Sequence, residues 1–219
     1  MGDPQRSTVG SLPVECLLVI DSGYSHTTVT PLYNGHAIQQ AVRRLEIGGK
    51  FLTNYLKEIL SVRQADVRED TYAVNLMKED CCYISHDFRG DLEKTWKHSS
   101  KAGADGGGVV VDYVMPDWSR RMRGEKRPHD PAVMKMMSRM GKVVNAEGHA
   151  EFVVTLGNER FSVPELLFNP MDIGMRQAGL ADLVLQSMHC LPPGLWTAML
   201  SNTLVVGGNA KIPGFIERL

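Results

Sequence analysis

The residues Leu17-Leu18-Val19-Ile20 run without a polar interruption into Asp21, Ser22 and Gly23. An unbroken apolar run with β-branched members, ended by a small-residue turn, predicts a strand buried on both faces with a carboxylate at its end. Thr27, Thr28, Val29 and Thr30 are β-branched and predict the return strand of a hairpin with Ser22, Gly23 and Ser25 at its tip. A strand around Leu32 and Tyr33, an Asn34-Gly35 turn and a strand through His36, Ala37 and Ile38 extend it into a meander. Past Gly48-Gly49, the residues Phe51, Leu52, Tyr55, Leu56, Ile59 and Leu60 recur at helical spacing, with Lys50, Asn54, Lys57 and Glu58 on the opposite face. A second helix is predicted from Thr71 to Cys81 with Asp70 as its N-cap, then a strand through Cys82, Tyr83, Ile84 and Ser85.

The pattern lapses between His86 and Ala150, where the glycine-dense run from Ala102 to Gly108 reads as a flexible link. It resumes with a strand from Phe152 to Leu156 and a capping box at Ser162-Val163-Pro164-Glu165, which predicts a short helix through Phe168. Leu180, Leu183, Val184, Ser187 and Met188 mark another helix face that Pro192-Pro193 ends. Asn202 to Val206 is a second unbroken strand; Gly207-Gly208-Asn209 follow, and a helix opens after Pro213-Gly214. Two core strands therefore end in small-residue turns. Glycine lets the backbone approach a phosphate closely, and a nearby carboxylate can hold a hydrated divalent cation, so the two turns can converge on one nucleotide. Taken alone, an Asp-Ser-Gly turn is also an ordinary hairpin connection.

Composition adds bounds. A chain of 219 residues with 43% hydrophobic residues can bury a real core. The formal charge of −1 gives no overall attraction to polyanions. Cys16, Cys81, Cys82 and Cys190 show no C-x-x-C spacing, which supports neither a zinc site nor a disulfide framework and suggests a reduced, intracellular protein. No apolar run is long enough for a membrane span, and the polar stretch 1–13 reads as a disordered lead-in. One charge asymmetry stands out. From Asp117 to Lys142 eight Lys or Arg residues face three carboxylates, an excess of five. It reads either as a solvated loop or as an exposed arm for DNA phosphates or an acidic protein, with Arg120, Arg121, Arg123, Lys126 and Arg127 as candidate contacts. The Met-rich run 134–140 suits an adaptable apolar face, though core packing is its commoner use.

Five blocks in order, DSG at Asp21 to Gly23, RLEIGGKFLTNYL at Arg44 to Leu56, KEDCCYIS at Lys78 to Ser85, LGNERFSVPELLFNP at Leu156 to Pro170 and VVGGNAKIPGF at Val205 to Phe215, resemble the second half of an actin-type protein. Asp-Ser-Gly-Tyr-Ser in the first turn, VVDYVMPDW at Val110 to Trp118 and FNPMDIGM at Phe168 to Met175 look more like a nuclear actin-related branch than like conventional actin. The resemblance implies an α/β, ribonuclease-H-like ATPase fold, of which 14–219 would be the second half with its larger and smaller lobes, incomplete at both ends, and 99–148 a flexible, partly basic insertion. It also implies a nucleotide site at Asp21, Ser22, Gly23, Gly49, Lys78, Glu79, Gly207 and Gly208, with Asp21 holding magnesium through water in a complete fold. Lys78 and Glu79 read on their own as a solvated helix end.

The pattern also departs from the family. Thr28 stands where actins place a histidine that helps order the attacking water, Asn75 matches the adenine-side arginine, Ile212 matches the aromatic on the base, and Tyr24 and Ser25 replace an acidic residue and a glycine. No catalytic residue is therefore assigned. ATP or ADP with magnesium is expected as a structural ligand of a full-length form, and none for this stretch alone. The function implied is a non-catalytic subunit of a nuclear chromatin-remodelling complex that exchanges a histone variant into nucleosomes. Its partners would be the other subunits, with histones or nucleosomal DNA, no membrane, and a nuclear and also cytoplasmic location. The rivals are an ATPase or phosphotransferase of the actin, chaperone and sugar-kinase superfamily and a cytoskeletal filament protein.

Overall fold

A computed structural model describes residues 15–64, 66–97, 109–145 and 147–219. The expected lead-in at 1–13 and the glycine-dense run 102–108 lie outside them. β1 (Cys16–Ser22) and β2 (Thr27–Tyr33) form the expected antiparallel hairpin, with Ser22 opposite Thr27 and Cys16 opposite Tyr33. Asn34 (φ 48°) and Gly35 (φ 79°) are both left-handed, as a two-residue hairpin turn requires, and lead into β3 (His36–Ala37), which stops short of Ile38. β4 (Arg43–Leu45) pairs with β2 near Thr28. α1 (Gly49–Arg63) buries Leu52, Leu56 and Leu60, and α2 (Thr71–Cys81) has the predicted bounds.

Two local expectations fail here. Asp70 makes no side-chain cap bond, because its ψ of 43° is not the extended conformation that aims a capping oxygen at the helix. The stretch 82–85 is no strand: Tyr83 N–H donates to Arg160 O (2.9 Å) and Ile84 N–H to Pro213 O (2.8 Å), two separate segments that build no ladder.

α3 (Phe88–Lys97) follows, and a second sheet places β5 (Val111–Val114) between β6 (Glu125–Pro128) and a later strand, all antiparallel. α4 (Pro131–Met140) is capped by Asp130, whose side chain accepts from Ala132 N–H, and ends at Gly141 (φ 67°). β7 (Val143–Val144) and β8 (Ala150–Glu151) make a small ladder, and β9 (Val153–Leu156) completes the second sheet. Within residues 109–145, then, the stretch expected as a flexible insertion carries regular elements. Its β5 is buried along its whole length, Tyr113 and Leu156 join the main core, and Val114, Val143 and Val153 hold a smaller cluster with Val133 and Met137 of α4.

α5 (Glu159–Glu165) begins three residues before the expected cap, so Ser162 lies inside it and the capping box does not form. Its start is fixed instead by the buried Glu159 carboxylate, which accepts from Gly157 N–H (2.8 Å) and pairs with Arg63. Pro164 has no N–H for the carbonyl four residues back. That carbonyl, on Arg160, is the one that takes Tyr83 N–H and docks the stretch after α2. α6 (Leu180–His189), α7 (Trp196–Ser201), β10 (Thr203–Val206) and the one-turn α8 (Phe215–Arg218) finish the described chain.

The larger sheet has the order β10-β1-β2-β3, with β4 also on β2. β1 is not buried on both faces. Leu18 and Ile20 are sealed beneath α6 and α7, whereas Leu17 and Val19 are half-buried and Asp21 is exposed. On that second face Leu204 beside Val19 is 47% exposed and Val206 beside Asp21 is 37% exposed. No element among the described residues seals them.

Candidate functional site

β1 and β10 run parallel with Asp21 beside Val206, so the turns that follow both strands leave the same edge of the sheet. Gly207 has φ 97°, and a Cβ there would lie 2.2 Å from Ser22 O, so only glycine lets the two turns touch. Asn209, 4% exposed, ties them together: its Nδ2 donates to Ser22 Oγ at 3.1 Å and to Gly23 O at 2.9 Å. Ser22 Oγ also shares a 2.9 Å bond with Thr27 Oγ1, which donates on to Ile47 O. Ser22 is therefore a buried fastener of the turn.

The start of α1 closes the third side. Gly49 N–H donates to Gly23 O (3.0 Å), Lys50 N–H to Tyr24 O (2.7 Å), and Gly23 N–H closes its own turn onto His26 O (3.0 Å). These donors are committed to closing the turn and holding the hairpin on the helix. A Cβ on Gly48 would lie 2.6 Å from both Tyr24 O and His26 N, so this glycine sets how near the two come.

Lys78 rises from α2 into this corner. It is 5% exposed, and its ammonium donates to Gly49 O (3.1 Å), Thr53 Oγ1 (2.9 Å) and Asn75 Oδ1 (3.0 Å). An ammonium has three N–H groups, and all three are met by neutral oxygens. Burial pulls its pKa below the ordinary lysine range, with the nearby Glu79 charge opposing. Lys78 is thus no solvated helix end. Glu79 is exposed, and its carboxylate accepts from Asn75 Nδ2 at 2.8 Å.

Together these elements enclose a cleft of about 450 Å³. Of the expected residues Gly23, Gly49, Lys78, Glu79 and Gly208 line it, joined by Tyr24, Asn75, Asn209, Lys211 and Ile212. Asp21 stands exposed at the strand end beside Gly23 and Gly207, opposite Thr28 in the hairpin register. Ser22 and Gly207 support the turns from behind. A nucleotide with magnesium, the group that the resemblance implies, is matched unevenly. The glycine at 49 leaves a cradle whose absent Cβ would meet Asn209 Oδ1 at 3.3 Å and Lys78 Nζ at 3.5 Å, which suits the nucleoside, while several turn N–H groups are already engaged. Among the described residues no three His, Cys, Asp or Glu side chains cluster to hold a metal ion. Sequence reasoning missed Asn209 and Thr53; the signal for Asn209 was its place directly after the double glycine.

The expected basic arm is largely fastened down. Arg121 Nη2 lies 3.0 Å and Arg127 Nη1 2.8 Å from the carboxylate of Glu151, whose side chain is 8% exposed, and Arg123 Nη2 lies 2.5 Å from Asp80 of α2. The β5–β6 hairpin brings these cations to Glu151 of β8 and Asp80 of α2, carboxylates far away in sequence. Arg120 and Lys126 are exposed and form no ion pair among the described residues.

The strand pair, its two glycine turns and the helix beneath them are an actin-type assembly, and the chain belongs to the actin family, whose model (Actin) matches residues 8–219. Along its length it is similar to the actin-like protein arp6 of Aspergillus fumigatus, 54% identical over 223 residues that cover 100% of this chain and 48% of the relative. Actin-related protein 6 of Neurospora crassa is 51% identical over 218 residues (98% and 47% covered), and that of Drosophila melanogaster 38% over 216 residues (98% and 49%). The chain spans about half the length of the curated relatives it matches, and its mixed α/β architecture is correspondingly part of an actin fold.

Proposed function

We propose that the full-length protein is a non-catalytic actin-related subunit of a nuclear chromatin-remodelling complex that exchanges a histone variant into nucleosomes, the motor ATPase being another subunit. The observation that carries the non-catalytic part is the make-up of the cleft. Its one buried cation, Lys78, spends every N–H on protein oxygens, and by the resemblance Thr28 stands where actins place the histidine that helps order the attacking water, with Tyr24 and Ser25 replacing an acidic residue and a glycine. Such a cleft can hold ATP or ADP as a structural ligand, with Gly23, Gly208 and a water-bridged magnesium at Asp21 on the phosphate side and Gly49, Asn75 and Glu79 on the nucleoside side. The assembly and its nuclear setting rest on the resemblance to the actin-related branch.

The test is purification of the tagged full-length protein from nuclear extract. Expected are co-purification with a motor ATPase and a variant histone, and no ATP hydrolysis by the isolated subunit. Hydrolysis by the purified subunit would favour the ATPase reading, and pelleting as filaments the cytoskeletal one.

A further inference from the structure

We infer that Tyr24 is a ligand-holding residue of the cleft, its ring forming the wall against the sugar–phosphate portion of a bound nucleotide. The inference rests on the nucleotide reading above and extends it to a residue at the junction of the cleft's two sides. Tyr24 follows Gly23 of the turn, and its carbonyl accepts Lys50 N–H at 2.7 Å, which fixes its backbone over the start of α1. Its ring turns inward along the glycines: Cδ2 lies 3.5 Å from where a Cβ of Gly49 would be, and the side chain lines the cleft with Gly49, Lys78 and Ile212.

Among the described residues no packing requires an aromatic there. Tyr24 is 58% exposed, its ring pairs with no other aromatic, and its hydroxyl makes no hydrogen bond among the described residues. A tyrosine offers an apolar face for a sugar and a polar tip that can donate to a phosphate oxygen. Lys78 cannot supply that donor without giving up one of its three bonds.

The experiment loads full-length protein with radiolabelled ADP and magnesium, chases with unlabelled ATP and follows release on filters. Tyr24→Ala should speed release about tenfold, the size of one aromatic contact, whereas Tyr24→Phe should stay within about threefold of the parent because it keeps the ring. The melting temperature of unliganded Tyr24→Ala should match the parent, as expected for an exposed side chain. Equal release from Tyr24→Ala and the parent would overturn the inference and leave the nucleotide reading standing. A lowered melt of the unliganded variant would assign Tyr24 to the fold and overturn it too. Failure of the parent to retain ADP would overturn the nucleotide reading itself, and the inference with it.

Discussion

The cleft and the region where the β7–β8 ladder meets the second sheet each bury a charge, and they do so in opposite ways. Lys78 is surrounded by neutral oxygens brought to it by glycine-permitted close approach, whereas Glu151 is held by two guanidiniums, those of Arg121 and Arg127. The first arrangement depends on backbone fit. The second depends on charge, so the two regions should fail under different insults, and each change below is aimed at one of them.

The largest effect is expected at Gly48. Its φ of −142° suits any residue, so Gly48→Ala isolates sterics: the added carbon meets backbone atoms of Tyr24, Ser25 and His26 at 2.6 Å, none of them able to swing aside. A loss of about 3 kcal/mol or more is expected in a denaturant or thermal melt, with the cleft lost as well. A change under about 1 kcal/mol would mean that the hairpin does not rest on α1 as described.

Next comes Glu151→Ala, which leaves two part-buried guanidiniums without their shared carboxylate and should cost the second sheet about 2 kcal/mol, less than a fully buried pair because both arginines reach solvent. Hydrogen exchange should quicken in β5, β6 and β9 and stay unchanged in α1 and α2. The same contrast appears with acid. Burial raises the Glu151 pKa, but hydrogen bonds from Arg127 and Arg121 outweigh it and leave the value below the ordinary 4.5. A folded-state pKa below the unfolded one means that the stabilisation is complete above pH 4.5 and is lost as pH falls through the folded value. Exchange protection of β5 and β6 should therefore collapse on acidification in the parent, and this acid step should shrink in Glu151→Ala.

What the sequence disclosed follows the same division. The hairpin, both glycine turns and the bounds of α2 were legible because apolar runs and glycines are local signals. The start of α5 was not, since Glu159 is fixed by Arg63, 96 residues away, and that partner outcompetes a plausible local cap. The arginines of the supposed arm were misread for a like reason: Asp80 and Glu151 lie 43 and 24 residues from Arg123 and Arg127. Lys78 looked solvated because helix spacing does not reveal that Gly49, at the start of another helix, lends it a carbonyl. The second face of β1 looked buried because an unbroken apolar run does not say what will cover it.

That uncovered face gives a smaller prediction. Leu204→Ser and Val206→Thr replace side chains already 47% and 37% exposed, so each should cost under about 1 kcal/mol. Both should reduce dye binding and self-association of the 219-residue chain, because exposed apolar patches drive both. Unchanged dye binding would place the sticky surface elsewhere.

The smallest effect on the fold, and the sharpest test of the basic region, comes from separating its paired cations from its unpaired ones. Arg120, Lys126, Lys135, Arg139 and Lys142 are exposed and form no ion pair among the described residues, and α4 alternates two of them with the exposed Met136 and Met140. Changing these five to Ala should shift stability by no more than about 0.5 kcal/mol each, as unpaired surface charges do. Changing Arg121, Arg123 and Arg127 instead should loosen the second sheet, because it strips Glu151 and Asp80 of their guanidinium partners. If the region touches nucleosomal DNA, salt titration of DNA binding by the full-length protein should show the five-residue variant losing roughly one unit of log–log slope per phosphate contact removed, with the melt unchanged. An unchanged slope would leave these cations as a solvated face. A slope that falls only in the Arg121, Arg123 and Arg127 variant, together with its melt, would show that binding needs the folded sheet and not these five charges.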